Sequence, residues 1–231
     1  MKNNKISYRI GLNIFSHDTA CCLFKNNKLL VAIEEERLSY KKHTKNFPFK
    51  AIQKCIEFEK IHIDNIDVIC VGWDIPFIIK ERYLRNIVAN NNSKFLEDKR
   101  DEMIRVLSID ENLKKIGFKG KVEYFNHYDC HTAYAFSTSK FKEALYISLD
   151  GYGEDNSGKI GSINTKRITD CINYPIKHSL GLLYAGITDF LGFKRLCDEG
   201  IVMGLAAHGD YKSKVKKLKF TYHDFFKKNI K

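Results

Sequence analysis

The sequence predicts an α/β fold built from two copies of one unit. Three observations carry this: a meander of three short strands near the start, a second meander of the same order from residue 144, and helical sequence after each. Residue identity between the copies is low, so the argument rests on the shared order of strand, polar loop, strand, turn and strand. Composition agrees. With 231 residues, 44% hydrophobic, 29% charged and 3 prolines, the chain is globular, with room for one large domain or two lobes, and is neither disordered nor collagenous.

In order, the first copy places strands at 8–14, 19–25 and 28–33, a polar loop at 15–18 and a turn at Asn26-Asn27. Ala51, Ile52, Cys55 and Ile56 recur at helical spacing after Pro48 and predict a helix over 49–59. The continuous apolar run 68–72 predicts a buried strand. Charged, amphipathic sequence over 77–115 predicts two or more helices, with a strand at 121–125 beyond them. In the second copy, a strand at 144–149 is read as buried and ends in Asp150-Gly151. A polar loop at 152–157 leads to strands at 159–164 and 168–173. Ser179 is placed to cap a helix with Leu180, Leu183, Tyr184 and Ile187 on one face, and Gly192 to stop it. The divisions expected are 1–140, 141–210 and a Lys-rich tail at 211–231. Duplication predicts a cleft between two lobes, where glycine-bearing loops at strand ends can hold a phosphate or acyl phosphate.

Composition also narrows the setting. No apolar stretch approaches the ~18 residues of a membrane helix, and no signal peptide or anchor is visible. The 7 cysteines form no Cys-x-x-Cys pair. Cys21, Cys22, Cys55, Cys70, Cys130 and Cys171 sit among apolar neighbours, which predicts reduced, buried thiols in a cytoplasm. The net charge of +11 is concentrated after Asp210, from Lys212 to Lys231. Without a nucleic-acid motif, that run is read as a solvated tail or helix face.

His127 and His131 are four apart in a segment predicted to be helical, a spacing that lets two imidazoles share a metal ion. Taken alone, a pair at this spacing is more often two surface or core histidines than a ligand pair. Asp150 adds a carboxylate at a strand end beside Gly151. Two nitrogens and one carboxylate with open positions suit Fe(II), Mn(II) or Zn(II) at a catalytic centre. His17-Asp18 occupies the first loop, either as an exposed histidine on a loop capped by Asp18 or as part of a site. Glu34, Glu35, Glu36 and Arg37, followed by Lys41, Lys42 and His43, form either a solvated edge or an anion site. In the second case Lys42 is a point charge for a phosphate or carbonyl oxygen, and Arg37 is held by a glutamate.

Together these blocks resemble one family. Gly11-Leu12-Asn13 through His17-Asp18-Thr19-Ala20, then Glu34 to His43, resemble the start of the O-carbamoyltransferases, which include nodulation-factor and aminoglycoside or cephem antibiotic carbamoyltransferases. His127-Tyr128-Asp129-Cys130-His131 resembles the family's metal-binding helix, and Asp150-Gly151-Tyr152-Gly153 its second loop. Ser179-Leu180-Gly181 and Val202-Met203-Gly204-Leu205-Ala206 resemble its later signatures.

The resemblance implies an actin-like (ribonuclease H-like) duplicated lobe with an incomplete second half, related to the enzyme of threonylcarbamoyladenosine synthesis. It implies transfer of a carbamoyl group from an ATP-derived carbamoyl adenylate, made in a separate YrdC-like domain, to a hydroxyl of a small molecule or sugar. Metal ligands carry over to His127, His131 and Asp150, with Fe(II) ahead of Mn(II) or Zn(II). Catalytic positions carry over to His17 and Lys42, and contacts to the bound adenylate to Asp18, Arg37, Gly151 and Gly153. Family enzymes are longer, so the chain is expected to be an amino-terminal part, completed by further sequence or a second polypeptide; the rival reading is a noncatalytic remnant or partner subunit. Tyr128 replaces a common second histidine. Ile201, Ala207 and His208 replace the usual Lys, Pro and Tyr, and Ile201 removes a phosphate-facing cation.

Overall fold

The computed structural model describes residues 6–15, 17–90 and 93–209. The expected Lys-rich tail lies outside them. The chain divides into two units, Met1–Lys140 and Phe141–Lys231, and both are mixed α/β.

In the first unit β1 (Tyr8–Asn13), β2 (Ala20–Lys25) and β3 (Lys28–Glu34) form the antiparallel meander. Asn26 and Asn27 turn the β2–β3 hairpin with φ of 49° and 68°, the pair of left-handed residues that a two-residue hairpin favours. α1 (Glu36–Ser39) and α2 (Phe49–Glu59) follow, then β4 (Ile66–Val71). The next stretch carries five helical elements: α3 (Ile75–Phe77), a π-helical stretch (Ile78–Leu84), α4 (Arg85–Asn90), α5 (Ser93–Leu107) and α6 (Ile109–Lys115). β5 (Lys121–Tyr124) and α7 (His127–Thr138) complete the unit. The five strands lie in the order β3-β2-β1-β4-β5, with β1, β4 and β5 parallel. An antiparallel meander extended by two parallel strands is the half-fold that an actin-like lobe requires.

Burial explains the register. Ile10, Leu12, Leu23, Ile69 and Val71 are buried on β1, β2 and β4, and α2 contributes Ala51, Ile52 and Cys55 to the core. The start of α2 is satisfied from a distance: the buried Glu35 carboxylate accepts from the Ala51 N–H at 2.8 Å and the Lys50 N–H at 3.4 Å. A carboxylate there meets orphan donors and the positive end of the helix dipole.

The second unit holds β6 (Glu143–Leu149), β7 (Asn156–Asn164) and β8 (Ile168–Pro175) as an antiparallel sheet in that order. β7 starts earlier than the sequence predicts. Gly158 pairs with Leu149, and a Cβ there would come within 2.6 Å of the Leu149 side chain. The strand ending in Asp150 is also not the buried strand expected: β6 is an edge strand whose Leu145, Ile147 and Leu149 are exposed. Cys171 is exposed as well, because it is the extra residue where the register shifts between Asp170 and Ile172. α8 (Leu180–Phe190) is capped by Ser179, whose hydroxyl accepts from the Leu182 N–H at 3.0 Å. Gly192 follows α8 with φ of 85°, as its stop position requires. α9 (Glu199–Ala206) closes the described chain; neither it nor α1 was anticipated. Among the described residues, no helix is long and apolar enough to cross a membrane.

Candidate active site

Because β1, β4 and β5 are parallel, their carboxyl ends share one edge of the sheet, where open α/β sheets gather ligand-binding loops. Asn13 ends β1, Gly72 and Trp73 follow β4, and Asn126 follows β5. The Asn126 side chain caps α7, accepting from the Tyr128 and Asp129 N–H groups at 3.1 and 3.3 Å. His127 is the first residue of that helix. Its ring stacks on Trp73 with centroids 3.9 Å apart, and its Nδ1 lies 3.3 Å from the Gly72 carbonyl oxygen. Donation from Nδ1 makes Nε2 the lone-pair nitrogen. One turn on, Nε2 of His131 lies 3.0 Å from Nε2 of His127. With metal–nitrogen bonds of about 2.0–2.1 Å, a pair so spaced would subtend roughly a right angle at one ion. The two histidines fit adjacent positions on a divalent transition metal.

The loop after β1 carries His17 and Asp18, and the turn after α1 carries Lys42 and His43. Asp18 joins them. Its Oδ2 accepts from Nδ1 of His17 at 2.5 Å, and its Oδ1 accepts from Nδ1 of His43 at 3.0 Å. The two rings meet edge to face, centroids 5.9 Å apart. Thr19 N–H also donates to the Thr44 carbonyl at 3.3 Å, tying the two segments by backbone. Burial pushes the Asp18 carboxyl up, but hydrogen bonds and charge from His17 and His43 outweigh it and hold the group below its ordinary value. Asp18 and His43 both have left-handed backbone, φ 59° and 53°, a region in which Asp and His are enriched among non-glycine residues.

Asn13 links the two clusters. Its amide donates to the Asp18 carbonyl at 3.0 Å and accepts from Trp73 Nε1 at 3.3 Å. Nearby, Arg37 is held by two glutamates, Glu34 at 3.0 Å and Glu36 at 3.6 Å. The second oxygen of Glu36 accepts from the His43 N–H at 2.9 Å, so this brace reaches the Lys42 turn. Lys42 itself is exposed. Glu34 and Arg37 also line a largely apolar cavity of about 880 Å³ with Gly11, Cys22, Cys70 and Tyr134.

In the second unit, Asp150 follows β6 and accepts from the Gly151 N–H at 2.6 Å. The Ser179 hydroxyl, besides capping α8, donates to the Gly151 carbonyl at 2.5 Å. A Cβ on Gly181 would come within 2.7 Å of the Gly151 Cα. Ser179 and Gly181 thus let the start of α8 lie directly against the Asp150–Gly151 loop. Gly153 N–H donates to the Asn156 carbonyl at 2.7 Å and closes the turn into β7.

Three residues of this arrangement carry no individual role in the sequence reading: His43, Asn13 and Trp73. His43 ends the Lys41-Lys42-His43 run and was legible only as charge. Asn13 and Trp73 are 60 residues apart, and no local pattern announces such a contact.

The carbamoyltransferase N-terminus family model matches residues 8–231. Nodulation protein NolNO of Sinorhizobium fredii is 29% identical over 198 residues, covering 86% of this chain and 28% of the relative. The uncharacterized protein sll1178 of Synechocystis is 31% identical over 219 residues, covering 90% of this chain and 35% of the relative. The chain therefore spans about a third of the length of these curated relatives. Among solved structures, YeaZ from Pseudomonas aeruginosa has a TM-score of 0.42 at 7% identity, covering 73% of this chain and 67% of that one. By the extent of the family match, this chain belongs to the carbamoyltransferase N-terminal family.

Proposed function

We propose that the chain carries the acceptor side of an O-carbamoyltransferase site, where a carbamoyl group passes from carbamoyl adenylate to a hydroxyl of a small molecule or sugar. Within this family, the observation that carries the reading is His17 bonded through Nδ1 to Asp18 beyond the carboxyl end of β1. An imidazole held in that way has Nε2 as its basic nitrogen. His17 takes the acceptor's hydroxyl proton as the acceptor oxygen bonds to the carbamoyl carbon. The bond from that carbon to the phosphate oxygen breaks, and adenylate leaves with the electron pair. Lys42 and Arg37 offset negative charge on the carbonyl oxygen and the phosphate. Asp18 orients His17, and the backbone at Gly151 and Gly153 permits close approach of the adenylate. His127 and His131, with Asp150 as the proposed third ligand, would hold Fe(II), or else Mn(II) or Zn(II). A metal bound there supplies Lewis-acid polarisation of the carbamoyl oxygen. The setting proposed is the cytoplasm, in keeping with seven free cysteines.

The test supplies preformed carbamoyl adenylate and a polyhydroxy acceptor to the protein, alone and with the remainder of a full-length relative, and follows AMP release. Acceptor-dependent release that falls by roughly 10²-fold or more in His17→Ala is expected. Release unchanged by that substitution would overturn the assignment. A second reading, a noncatalytic partner subunit, is favoured by one observation, the exposed apolar residues Leu145 and Ile147 on the edge strand β6. Tight association with a second polypeptide, without any adenylate turnover by the complex, would support it instead.

A further inference from the structure

His17 and Lys42 lie on separate segments, one leaving β1 and the other following α1. Beside the backbone bond from Thr19 to Thr44, the Asp18 side chain joins the two segments. An ionised carboxylate only accepts hydrogen bonds, so Nδ1 of His17 at 2.5 Å and Nδ1 of His43 at 3.0 Å must both carry a proton. That is the less common neutral form of a free histidine, and here two neighbouring rings adopt it against one group. His43 is also gripped through its backbone N–H by Glu36 at 2.9 Å, and Glu36 braces Arg37.

We propose that Asp18 and His43 are paired positioning residues: one carboxylate sets the tautomer of His17 and, through His43, pins the turn that carries Lys42 beside it. Neither residue needs to touch a substrate. The clamp fixes two chemically different groups, a base and a cation, from two parts of the chain in one arrangement. The relevance to transfer rests on the function proposed above; the tautomers do not.

Asp18→Asn is the informative variant, because asparagine tolerates left-handed backbone and keeps the shape while removing the charge. Its amide offers one oxygen and one NH₂. The ring facing the oxygen keeps its proton on Nδ1, whereas the ring facing the NH₂ must accept there and move its proton to Nε2. Nitrogen-correlated NMR of the histidine rings is therefore expected to show His17 and His43 both as Nδ1–H forms in the parent protein, and only one of them so in Asp18→Asn. Two Nε2–H rings in the parent, or two Nδ1–H rings in the variant, would overturn the clamp.

His43→Gln supplies a second arm that does not depend on Asp18→Asn folding. His17 should keep its Nδ1–H form, while kcat for transfer falls roughly tenfold and KM for carbamoyl adenylate changes less, as expected when a cation that meets charge developing on the carbonyl oxygen is misplaced but the base is not. An unchanged kcat would count against the pinning of Lys42. Parent protein with both Nδ1–H rings but no transfer leaves the clamp standing and overturns only the proposed function. Active protein with Nε2–H rings does the reverse.

Discussion

The two meanders of this chain share an order and differ in what flanks them. β1 lies between β2 and β4, and its Ile10 is 0% exposed. Among the described residues β6, the corresponding first strand of the second meander, pairs only with β7, with Leu145 85% and Ile147 70% exposed. The same kind of apolar strand is thus a core element in one unit and a surface in the other. What decides burial is the supply of neighbours, since β-propensity reflects packing on the pleated surface more than a backbone preference. In the first unit β4 and β5 extend the sheet in parallel; in the second, no equivalent pair extends it among the described residues.

The sharpest way to break this contrast is to delete the same side chain from both strands. Ile10→Ala should cost about 3 kcal/mol, from lost transfer energy plus the cavity left in a packed core, read as a lower midpoint in chemical denaturation. A loss under about 1 kcal/mol would mean that the first sheet is not the rigid core described.

Next in size is Glu35→Ala, expected to cost about 2 kcal/mol because two backbone N–H groups at the start of α2 lose a buried, charged acceptor. Hydrogen exchange should rise first at residues 50 and 51. Uniform exchange across both units would show that the cap is not local to α2.

A smaller effect belongs to the second sheet, where Asp170 accepts from Tyr146 and pairs with Lys159 at 2.9 Å. Burial raises the Asp170 carboxyl, but these two partners outweigh it and hold it below its ordinary value. A depressed folded value means that the stabilisation is fully present above the ordinary aspartate pKa of about 3.9 and is lost as pH falls through the lower folded value. With the carboxylate partly exposed, the loss should be about 1 kcal/mol. Asp170→Asn should remove this acid-linked step from pH titrations of stability; a step of unchanged size would assign it elsewhere.

The smallest expected effect is the counterpart of the first. Ile147→Ala should change stability by no more than about 0.5 kcal/mol, while raising the protein concentration at which association or hydrophobic-dye binding begins. A cost matching that of Ile10→Ala would mean that β6 is covered in solution and that the contrast between the units fails.

The amino-acid order by itself determined the two meanders, the Asn26-Asn27 hairpin, the helix over 49–59, the capped α8 and its glycine stop, because each is written in side-chain period or in turn chemistry within a few residues. It also singled out His17 and Asp18, and the His127–His131 pair, since adjacency and helical spacing are local facts. Tertiary structure alone decided the rest. That Asp18 bonds His43 as well as His17, that Asn13 reaches Trp73, and that Glu35 is a buried helix cap rather than part of a charged edge all depend on residues 16 to 60 positions apart meeting. Whether an apolar strand is core was likewise beyond the sequence: the strand at 144–149 reads as buried, yet Leu145 and Ile147 of β6 are exposed, because the free energy of burying a strand belongs to the surface that covers it.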